Sequence, residues 1–285
     1  MNIQWYPGHM TKARRMIEEN LKLIDIFIEL LDARAVNSSQ NPDIAKMGAN
    51  KFRLILLNKA DLADDSVCQK YIDYYSAKNV TVLCIDARSA KSMSKIKSTI
   101  LEVCKEKIER DWRRGIKNRP IRAMVCGIPN VGKSTFINSF VGRSCTQTGN
   151  KPGVTKGKQW IRIDKNIELL DTPGILWPKF DDEKIGVNLA MIGSINDNII
   201  QLDELSLILI DFLKVNYPDA LMERYELENI DSMSSLDIIN CVADLKKCIK
   251  PGGEFDVERA AKLFLDDFRS GRLGKISLEF PVDNK

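Results

Sequence analysis

The stretch GIPNVGKST, residues 127–135, determines how the first two thirds of the chain are expected to fold. It fits the pattern G-x-x-x-x-G-K-[ST], follows the apolar stretch IRAMVC and opens the helix-like stretch KSTFINSFV. A glycine-rich turn between a strand and a helix points backbone N–H groups at phosphate oxygens, and the helix N-terminus adds a favourable partial charge. The stretch therefore predicts a phosphate-binding loop.

Each polar position in this loop has a chemical role in nucleoside triphosphate binding. Lys133 can reach the β- and γ-phosphates, and the Ser134 hydroxyl can ligate Mg²⁺. The loop residues predicted to contact the nucleotide are Asn130, Val131, Gly132, Lys133, Ser134 and Thr135.

Two later stretches supply the remaining phosphate-side groups. DTPG, residues 171–174, ends an apolar stretch with Asp171 for the Mg²⁺ shell and provides the Gly174 backbone N–H for the γ-phosphate. NKPGVT, residues 150–155, places Thr155 in a loop where its hydroxyl can complete the Mg²⁺ shell when the γ-phosphate is present.

The stretch LNKAD, residues 57–61, reads as the base-binding end of the site. It follows the apolar stretch RLILL, so Asn58, Lys59 and Asp61 lie at the carboxyl end of a predicted strand. A carboxylate there accepts hydrogen bonds from guanine N1–H and the 2-amino group, whereas adenine would leave it unpaired. GTP and GDP are therefore the predicted ligands. The residues expected to close over the base are Asp86, Ala87 and Arg88.

The base-reading stretch precedes the phosphate-binding stretch in the chain, which predicts a circular permutation. A sheet keeps its form when old termini are joined and new ones are opened at its surface. Six apolar strands alternate with helices and predict an α/β fold with a six-stranded, mostly parallel sheet. After it, apolar residues recur at helical spacing. We predict a permuted P-loop GTPase domain over residues 1–178 and a smaller all-α domain over residues 179–285.

Composition and charge limit the partners. The 285 residues are 44% hydrophobic and 29% charged, with no apolar run long enough for a bilayer and no signal-peptide pattern, so we expect a cytoplasmic protein without a membrane partner. The seven cysteines form no C-x-x-C pair, which argues against disulfides or a zinc site. Residues 1–180 carry a net charge of +13 and residues 181–285 one of −9. The basic part either meets a polyanion or is a solvated face.

The order of these motifs resembles the ribosome biogenesis GTPase A family. The likeness also includes WYPGHM at residues 5–10 and DAR at residues 32–34, although Val36 stands where family members usually carry a proline. The resemblance implies a GTPase that acts late in assembly of the bacterial large (50S) ribosomal subunit. It also implies a C-terminal helical domain that helps to bind ribosomal RNA, and we expect a monomer with no DNA partner.

The group that positions the attacking water is not evident, because Ile175 stands where many GTPases carry a glutamine. The resemblance suggests His9, the only histidine, although His9 can equally cap a helix or touch RNA. It further suggests that Asn130 holds an activating K⁺; alternatively, Asn130 only shapes the turn.

The sequence is compatible with three functional hypotheses. The first is a GTP-hydrolysing assembly factor stimulated by the ribosomal subunit and by K⁺. The second is an RNA-binding scaffold with little turnover, favoured by the missing glutamine, and the third is a switch for a protein partner, favoured by the acidic second domain. RNA contacts in that domain would come from Lys246, Lys247, Lys250, Arg259, Lys262, Arg269 and Arg272. Alternatively, these residues only form solvated helix faces.

Overall fold

The structure, a computed structural model, describes residues 9–48, 50–142, 160–172, 174–177, 180 and 182–281; of residues 9, 10 and 13 only the backbone is described. The strands are β1 Ile26–Asp32, β2 Phe52–Asn58, β3 Thr81–Cys84, β4 Ile121–Gly127, β5 Trp160–Arg162 and β6 Ile167–Asp171. The helices up to the phosphate-binding loop and through it are α1 His9–Asn20, α2 Val36–Ser39, α3 Pro42–Met47, α4 Asp65–Ser76, α5 Ala90–Val103, α6 Lys105–Arg113 and α7 Lys133–Val141. The later helices are α8 Glu183–Met191, α9 Leu202–Asn216, α10 Pro218–Tyr225, α11 Ser235–Leu245 and α12 Val257–Arg269.

All six strands join one sheet in the order β3-β2-β1-β4-β6-β5. Every pairing is parallel except that of the edge strand β5 with β6. The mostly parallel six-stranded sheet of the prediction is confirmed. Because β1 pairs with both β2 and β4, the base-reading strand and the phosphate-binding strand end at the same edge.

Side chains alternate between the two faces of the sheet along each strand, and both faces are buried. In β2, Leu54 and Leu56 join one apolar cluster, whereas Ile55 and Leu57 join a second cluster. The second cluster also contains Tyr71 of α4. Helices therefore cover both faces, as a buried parallel sheet requires.

Local sequence sets several helix boundaries. Asn41 and Asp64 cap α3 and α4 by accepting hydrogen bonds from backbone N–H groups of the first turn, and Pro42 occupies the first position of α3. Ser234 and Asp237 form a reciprocal capping box at the start of α11. Residues 92–114, whose helical periodicity is continuous, form two helices rather than one, because Cys104 separates α5 from α6.

From α8 onward the described residues form helices and one isolated bridge between Ile249 and Phe255. Helices α9, α11 and α12 pack on one another. Their buried residues are continuous with the larger apolar cluster of the sheet, which includes Leu30 of β1 and Phe268 of α12. The domain boundary at residues 178 and 179 stays a prediction.

The chain after α12 returns to the sheet. Backbone hydrogen bonds run from Leu278 N to Arg34 O at 2.7 Å and from Ile276 N to Leu62 O at 3.0 Å. This segment joins the helical part to the loops that follow β1 and β2.

The sequence predicts neither a membrane-spanning helix nor disulfide bonds. Over the described ranges, no helix is both long and apolar enough to cross a bilayer. The six cysteines within those ranges are free thiols.

Candidate functional site

The phosphate-binding loop closes against the base-reading strand through Asn58. The Asn58 amide nitrogen donates to Val131 O at 2.8 Å, and its oxygen accepts from Ala87 N at 3.0 Å. Gly132 has φ +95°, and a Cβ on it would lie 2.4 Å from the Asn58 amide nitrogen. Asn58 therefore organises the two loops, since both polar atoms of its buried amide bind protein groups.

Lys133 and Asp171 meet at the mouth of this loop. Lys133 Nζ lies 2.6 Å from Asp171 Oδ1, and both side chains are buried. The contact follows from the register, which places Asp171 of β6 beside Val125 of β4, just before the loop. The ammonium and the carboxylate predicted to serve phosphate and metal thus neutralise each other in the described state.

The segment after Asp171 lies directly on the phosphate-binding loop. A Cβ on Gly174 would come within 2.9 Å of Pro129 N and 3.1 Å of Pro129 Cα. Ile175 N donates to Gly127 O at 3.1 Å, and the Ile175 side chain is buried in the core. Because its side chain is apolar and buried, Ile175 has no means of orienting a water molecule.

The base-side residues line a cavity of about 370 Å³. Arg88 closes one side by pairing with Asp61 at 2.6 Å and with Asp86 at 2.9 Å. Its hydrogen bonds lower the pKa of Asp86 despite the opposing effect of burial. The cavity walls comprise Asn58, Lys59, Asp61, Leu62, Asp86, Ala87, Arg88, Gly132, Thr135, Arg269 and Ser270.

Asp61 already has a partner in this cavity, although an exchangeable one. The Asp61–Arg88 pair is partly exposed, with 67% of the Arg88 side chain accessible, so it contributes little stability. A ligand that offers two hydrogen bonds to Asp61 can therefore displace Arg88 at small cost.

Lys59 joins the base side to the phosphate side through a buried charge cluster. Its Nζ contacts Asp32 Oδ2 at 2.9 Å and donates to the backbone oxygen of Asn130 at 3.0 Å. Arg34 binds Asp32 with two hydrogen bonds of 2.9 Å each. Burial would raise the pKa of Asp32, but the charges of Arg34 and Lys59 outweigh burial and hold the pKa well below its usual range.

The cluster extends to the C-terminal helices. Arg34 also donates to the carbonyl oxygen of Arg269, the last residue of α12, at 3.2 Å. The Arg269 guanidinium binds Ala190 O at 2.7 Å and forms a double contact with Asp197. These bonds fix the loop after α8 against the end of α12.

Asn130, whose backbone carbonyl oxygen binds Lys59, also binds the loop after α8, and this closes the series of contacts into a ring. Its amide nitrogen donates to Gly193 O at 2.7 Å, within the loop that Arg269 holds. We call this set of contacts the Asp32 ring: Asn130, Lys59, Asp32, Arg34, Arg269 and the loop of residues 190–197. Lys59 and Asn130 both adopt the left-handed conformation, at φ 59°, which is uncommon for residues other than glycine and concentrates at functional sites.

Besides Leu62, which directly follows the base-reading stretch, sequence reasoning did not find two residues of the base-side cavity, Arg269 and Ser270. They follow Asp61 by about two hundred positions, and no local pattern distinguishes them from other polar residues at the end of an amphipathic helix. Arg269 was instead considered an RNA contact. Its guanidinium is bound within the protein and only 18% of the side chain is accessible, which argues against that role.

The donor set suits Mg²⁺ held jointly with phosphate. Asp171 supplies one buried carboxylate, and Ser134 stands at the second position of α7. Over the described ranges no group of three or more His, Cys, Asp or Glu side chains could hold a metal by itself. Mg²⁺ commonly uses one or two protein ligands and completes its shell with substrate phosphates and water, so the residues fit that ion.

Two predicted site residues lie outside what the structure describes. Thr155 falls in the undescribed range 143–159, and at His9 the side chain is not described. Their predicted roles stay predictions. The structure brings the other predicted residues to one edge of the sheet, at the ends of β2 and β6, in the loops that follow β2, β3, β4 and β6, and at the start of α7.

A mostly parallel sheet with a phosphate-binding loop at one strand end, a base-side cavity beside it and reversed motif order defines a circularly permuted P-loop GTPase. A family described as "50S ribosome-binding GTPase" matches residues 122–243. "Ribosome biogenesis GTPase A" of Priestia megaterium is 44% identical over 284 residues, which cover 99% of this chain and 98% of that protein. The chain belongs to the ribosome biogenesis GTPase A family, as the motif order predicted.

More distant proteins agree with this placement. "Ribosome biogenesis GTPase A" of Thermotoga maritima is 30% identical over 287 residues, covering 99% of this chain and 95% of that protein. The crystal structure of GNP-bound YlqF from T. maritima superposes with a TM-score of 0.66 at 26% identity, covering 95% of this chain and 99% of that one. The fold is therefore shared along nearly the whole chain.

Proposed function

We propose that this protein is a GTP-hydrolysing assembly factor for the bacterial large (50S) ribosomal subunit. In the proposed cycle it binds the immature subunit and its ribosomal RNA with GTP bound, and it leaves after hydrolysis. The observation that carries the proposal is the meeting of Asp61, Lys133 and the end of α12 around one edge of the sheet. Relatives named for ribosome biogenesis along nearly the full chain support the biological role.

The chain's own groups suffice to bind and orient GTP. Asp61 accepts hydrogen bonds from guanine after Arg88 moves aside, and backbone N–H groups of residues 130–135 bind phosphate oxygens. Lys133 leaves Asp171 and binds the β- and γ-phosphates. Ser134, Asp171 and Thr155 would hold Mg²⁺, which when bound neutralises charge that develops on the phosphates.

Water positioning is assigned to the N-terminal segment. Ile175 is buried and apolar, so the group must come from elsewhere, and we propose that His9 approaches the γ-phosphate when the subunit is bound. Gly174 is proposed to contribute its backbone N–H to the γ-phosphate. For the proposed K⁺, the Asn130 amide nitrogen faces Gly193 O, so the amide oxygen is the atom that remains to bind the cation.

The Asp32 ring gives nucleotide binding a route to the helical part. Asn130 and Lys59 contact the nucleotide in the proposed complex, and both are bonded to groups that lead to α12 and to residues 190–197. Loading with GTP therefore changes the same contacts that hold the helical part against the sheet. This coupling supports release upon hydrolysis.

Phosphate release, measured with and without purified bacterial large subunits in KCl and in NaCl, tests the proposal. We expect subunits to stimulate turnover, KCl to exceed NaCl, and cosedimentation with subunits to be stronger with a GTP analogue than with GDP. His9→Ala should lose the stimulated hydrolysis while keeping GTP affinity. Turnover that subunits leave unchanged, together with cosedimentation independent of nucleotide, would contradict the proposal.

The scaffold reading has one specific observation in its favour, the burial of Ile175 at the usual glutamine position. It predicts binding to subunits without stimulated phosphate release, so the same experiment separates the two functions.

A further inference from the structure

An exposed tryptophan lies among basic residues where α6 ends and the chain turns toward β4. The Trp112 side chain is 66% accessible and Ile116 is 42% accessible. Burying an aromatic ring contributes strongly to stability, so a ring left in water on an ordered helix is a candidate contact for a partner.

The surroundings of Trp112 are strongly basic. Residues 105–119 hold seven Lys and Arg residues against three Asp and Glu. Two of the nearby acids are used internally: Asp111 pairs with the buried Lys107 at 2.5 Å, and Asp25 pairs with Lys107 at 3.5 Å and with Arg119 at 3.7 Å. The remaining positive charge is therefore presented to solvent.

Three basic side chains of this segment, Arg110, Arg114 and Lys117, are exposed and make no salt bridge within the described ranges. Arg113 makes one contact, with Glu109 at 3.8 Å, an exposed pair of little energetic weight. Arg110 shares a helix face with Arg113 and Arg114 because the separations are three and four residues, whereas Trp112 lies on the other side of Arg113, so that Arg113 stands between the ring and the other two arginines. We call Arg110, Trp112, Arg113, Arg114 and Lys117 the Trp112 surface.

The backbone beneath this surface is well held. Arg114 N donates to Arg110 O at 3.2 Å, and Ile116 N donates to Asp111 O at 3.0 Å. The Arg122 N–H binds Asp25 Oδ2 at 3.0 Å, which attaches the start of β4 to the start of β1. An ordered platform loses little conformational entropy when a ligand binds.

The Trp112 surface lies at the amino ends of the strands, whereas the nucleotide site lies at their carboxyl ends. Arg119 precedes β4, which begins at Ile121, and the phosphate-binding loop follows the other end of β4 at Gly127. The two sites are thus separated by the length of the sheet, and changes at one leave the groups of the other in place.

We propose that the Trp112 surface binds RNA, with an unpaired base stacked on the Trp112 ring and the neighbouring arginines and lysine on the adjoining phosphates. Single-stranded RNA fits because stacking requires an exposed base face, which a duplex hides. A protein partner fits less well, since two apolar side chains, Trp112 and Ile116, beside the four cations of this surface form no apolar core. The proposal rests on the proposed function, since it assigns a contact for the RNA of the subunit.

The test uses the full chain and a short fluorescein-labelled single-stranded RNA, with affinity measured by fluorescence anisotropy. Trp112→Ala should weaken binding about tenfold, the lower part of the range for loss of one stacked base. Trp112→Phe should restore most of the affinity because it keeps a ring. Leu236→Ala, which removes another exposed apolar side chain at 51% accessibility, is the matched control and should bind like the parent.

The charge contribution is measured from the salt dependence. The double variant Arg113→Gln, Arg114→Gln should lower the slope of log affinity against log salt by about 1.4, because each phosphate contact on a single strand contributes about 0.7. Lys70→Gln, an exposed charge on α4, should leave the slope unchanged. Basal GTP hydrolysis of every variant should equal that of the parent.

Equal RNA affinity of the parent and Trp112→Ala would overturn the proposal. So would a Trp112→Ala variant that loses cosedimentation with large subunits while keeping RNA affinity, because the surface would then bind a protein. Failure of the parent itself to cosediment with subunits would contradict the proposed function instead, so the two failures are distinguishable.

Discussion

Gly174 contacts the phosphate-binding loop too closely to accept a side chain. An alanine methyl group would lie 2.9 Å and 3.1 Å from the backbone N and Cα of Pro129, and backbone atoms cannot rotate away. We expect Gly174→Ala to destabilise the fold by about 1–3 kcal/mol, as overpacking does, and to reduce GTP hydrolysis by displacing the loop. Thermal unfolding and phosphate release measure the two effects.

Gly48→Ala is the control for this substitution. Its methyl group would meet Cδ2 of the Phe27 ring at 3.3 Å, and a side-chain ring can shift where a backbone cannot. If Gly174→Ala matched the parent in both stability and turnover, the close packing of this segment on the loop would be wrong.

At the residue scale, the sequence predicts which side chains bind the nucleotide better than it predicts which groups they contact within the protein. The positions of Asp61, Lys133 and Asp171 at strand ends followed from motifs and apolar stretches alone. The internal bonds of Asn58 and the pairing of Arg88 with Asp61 did not, because these depend on which loops the fold brings together. The place of Arg269 in the base-side cavity could not be predicted for the same reason.

At the scale of elements, the six strands were predictable because their apolar residues are continuous and turn residues bound them. The break at Cys104 was not, since helical periodicity continues across it and no glycine or proline marks the boundary. The short helices α2 and α3 were also missed, because four and six residues carry too little periodicity to indicate a helix.

The end of α12 is stabilised by a carboxylate that several cations share. Asp267 accepts from Arg224 at 2.8 Å and from Arg272 at 2.5 Å, with Lys246 at 3.5 Å. Burial opposes ionisation of Asp267, but these hydrogen bonds outweigh it and lower its pKa. We expect Asp267→Asn to destabilise the protein by about 1.5–3 kcal/mol at neutral pH, the range for hydrogen bonds to charged groups.

The pH dependence of this effect has a definite sign. A carboxyl group whose pKa is lower in the folded state stabilises the fold above its unfolded pKa of about 3.9, and this stabilisation is lost as pH falls through the folded pKa. The difference in unfolding free energy between the parent and Asp267→Asn should therefore be constant near pH 7 and shrink below about pH 4. Urea titrations at a series of pH values measure it; a difference that grew on acidification would contradict the assignment.

At the scale of the whole molecule, the buried pair Asp32–Arg34 joins the sheet to α12. Arg34→Met leaves Lys59 as the charged partner of Asp32 and removes the donor to Arg269 O, so we expect a loss of about 3–5 kcal/mol, as for other broken buried pairs. Guanidinium unfolding measures the loss. Restoring part of it with the double variant Asp32→Asn, Arg34→Met would show that the unpaired charge is the main cost.

Lys275→Met provides the comparison. Lys275 also bridges the two parts of the chain, through Asp65 at 2.7 Å, but both side chains are half or more exposed. Its removal should change the free energy of unfolding much less than Arg34→Met does, because exposed ion pairs contribute little to stability. If Arg34→Met and Lys275→Met lowered the free energy of unfolding equally, the Asp32 ring would not be the main polar connection between the sheet and α12.

The central claim is that Asp61 and Lys133, reversed in chain order, bind the two ends of one guanine nucleotide. Competition binding of GTP, ATP and xanthosine triphosphate to the parent and to Asp61→Asn tests it most directly. We predict that the parent prefers GTP to ATP. In Asp61→Asn, GTP affinity should fall at least about hundredfold as two hydrogen bonds to a carboxylate are lost, while xanthosine triphosphate, whose 2-carbonyl accepts from the new amide, gains. Equal competition by ATP in the parent, or an unchanged GTP preference in Asp61→Asn, would contradict the account.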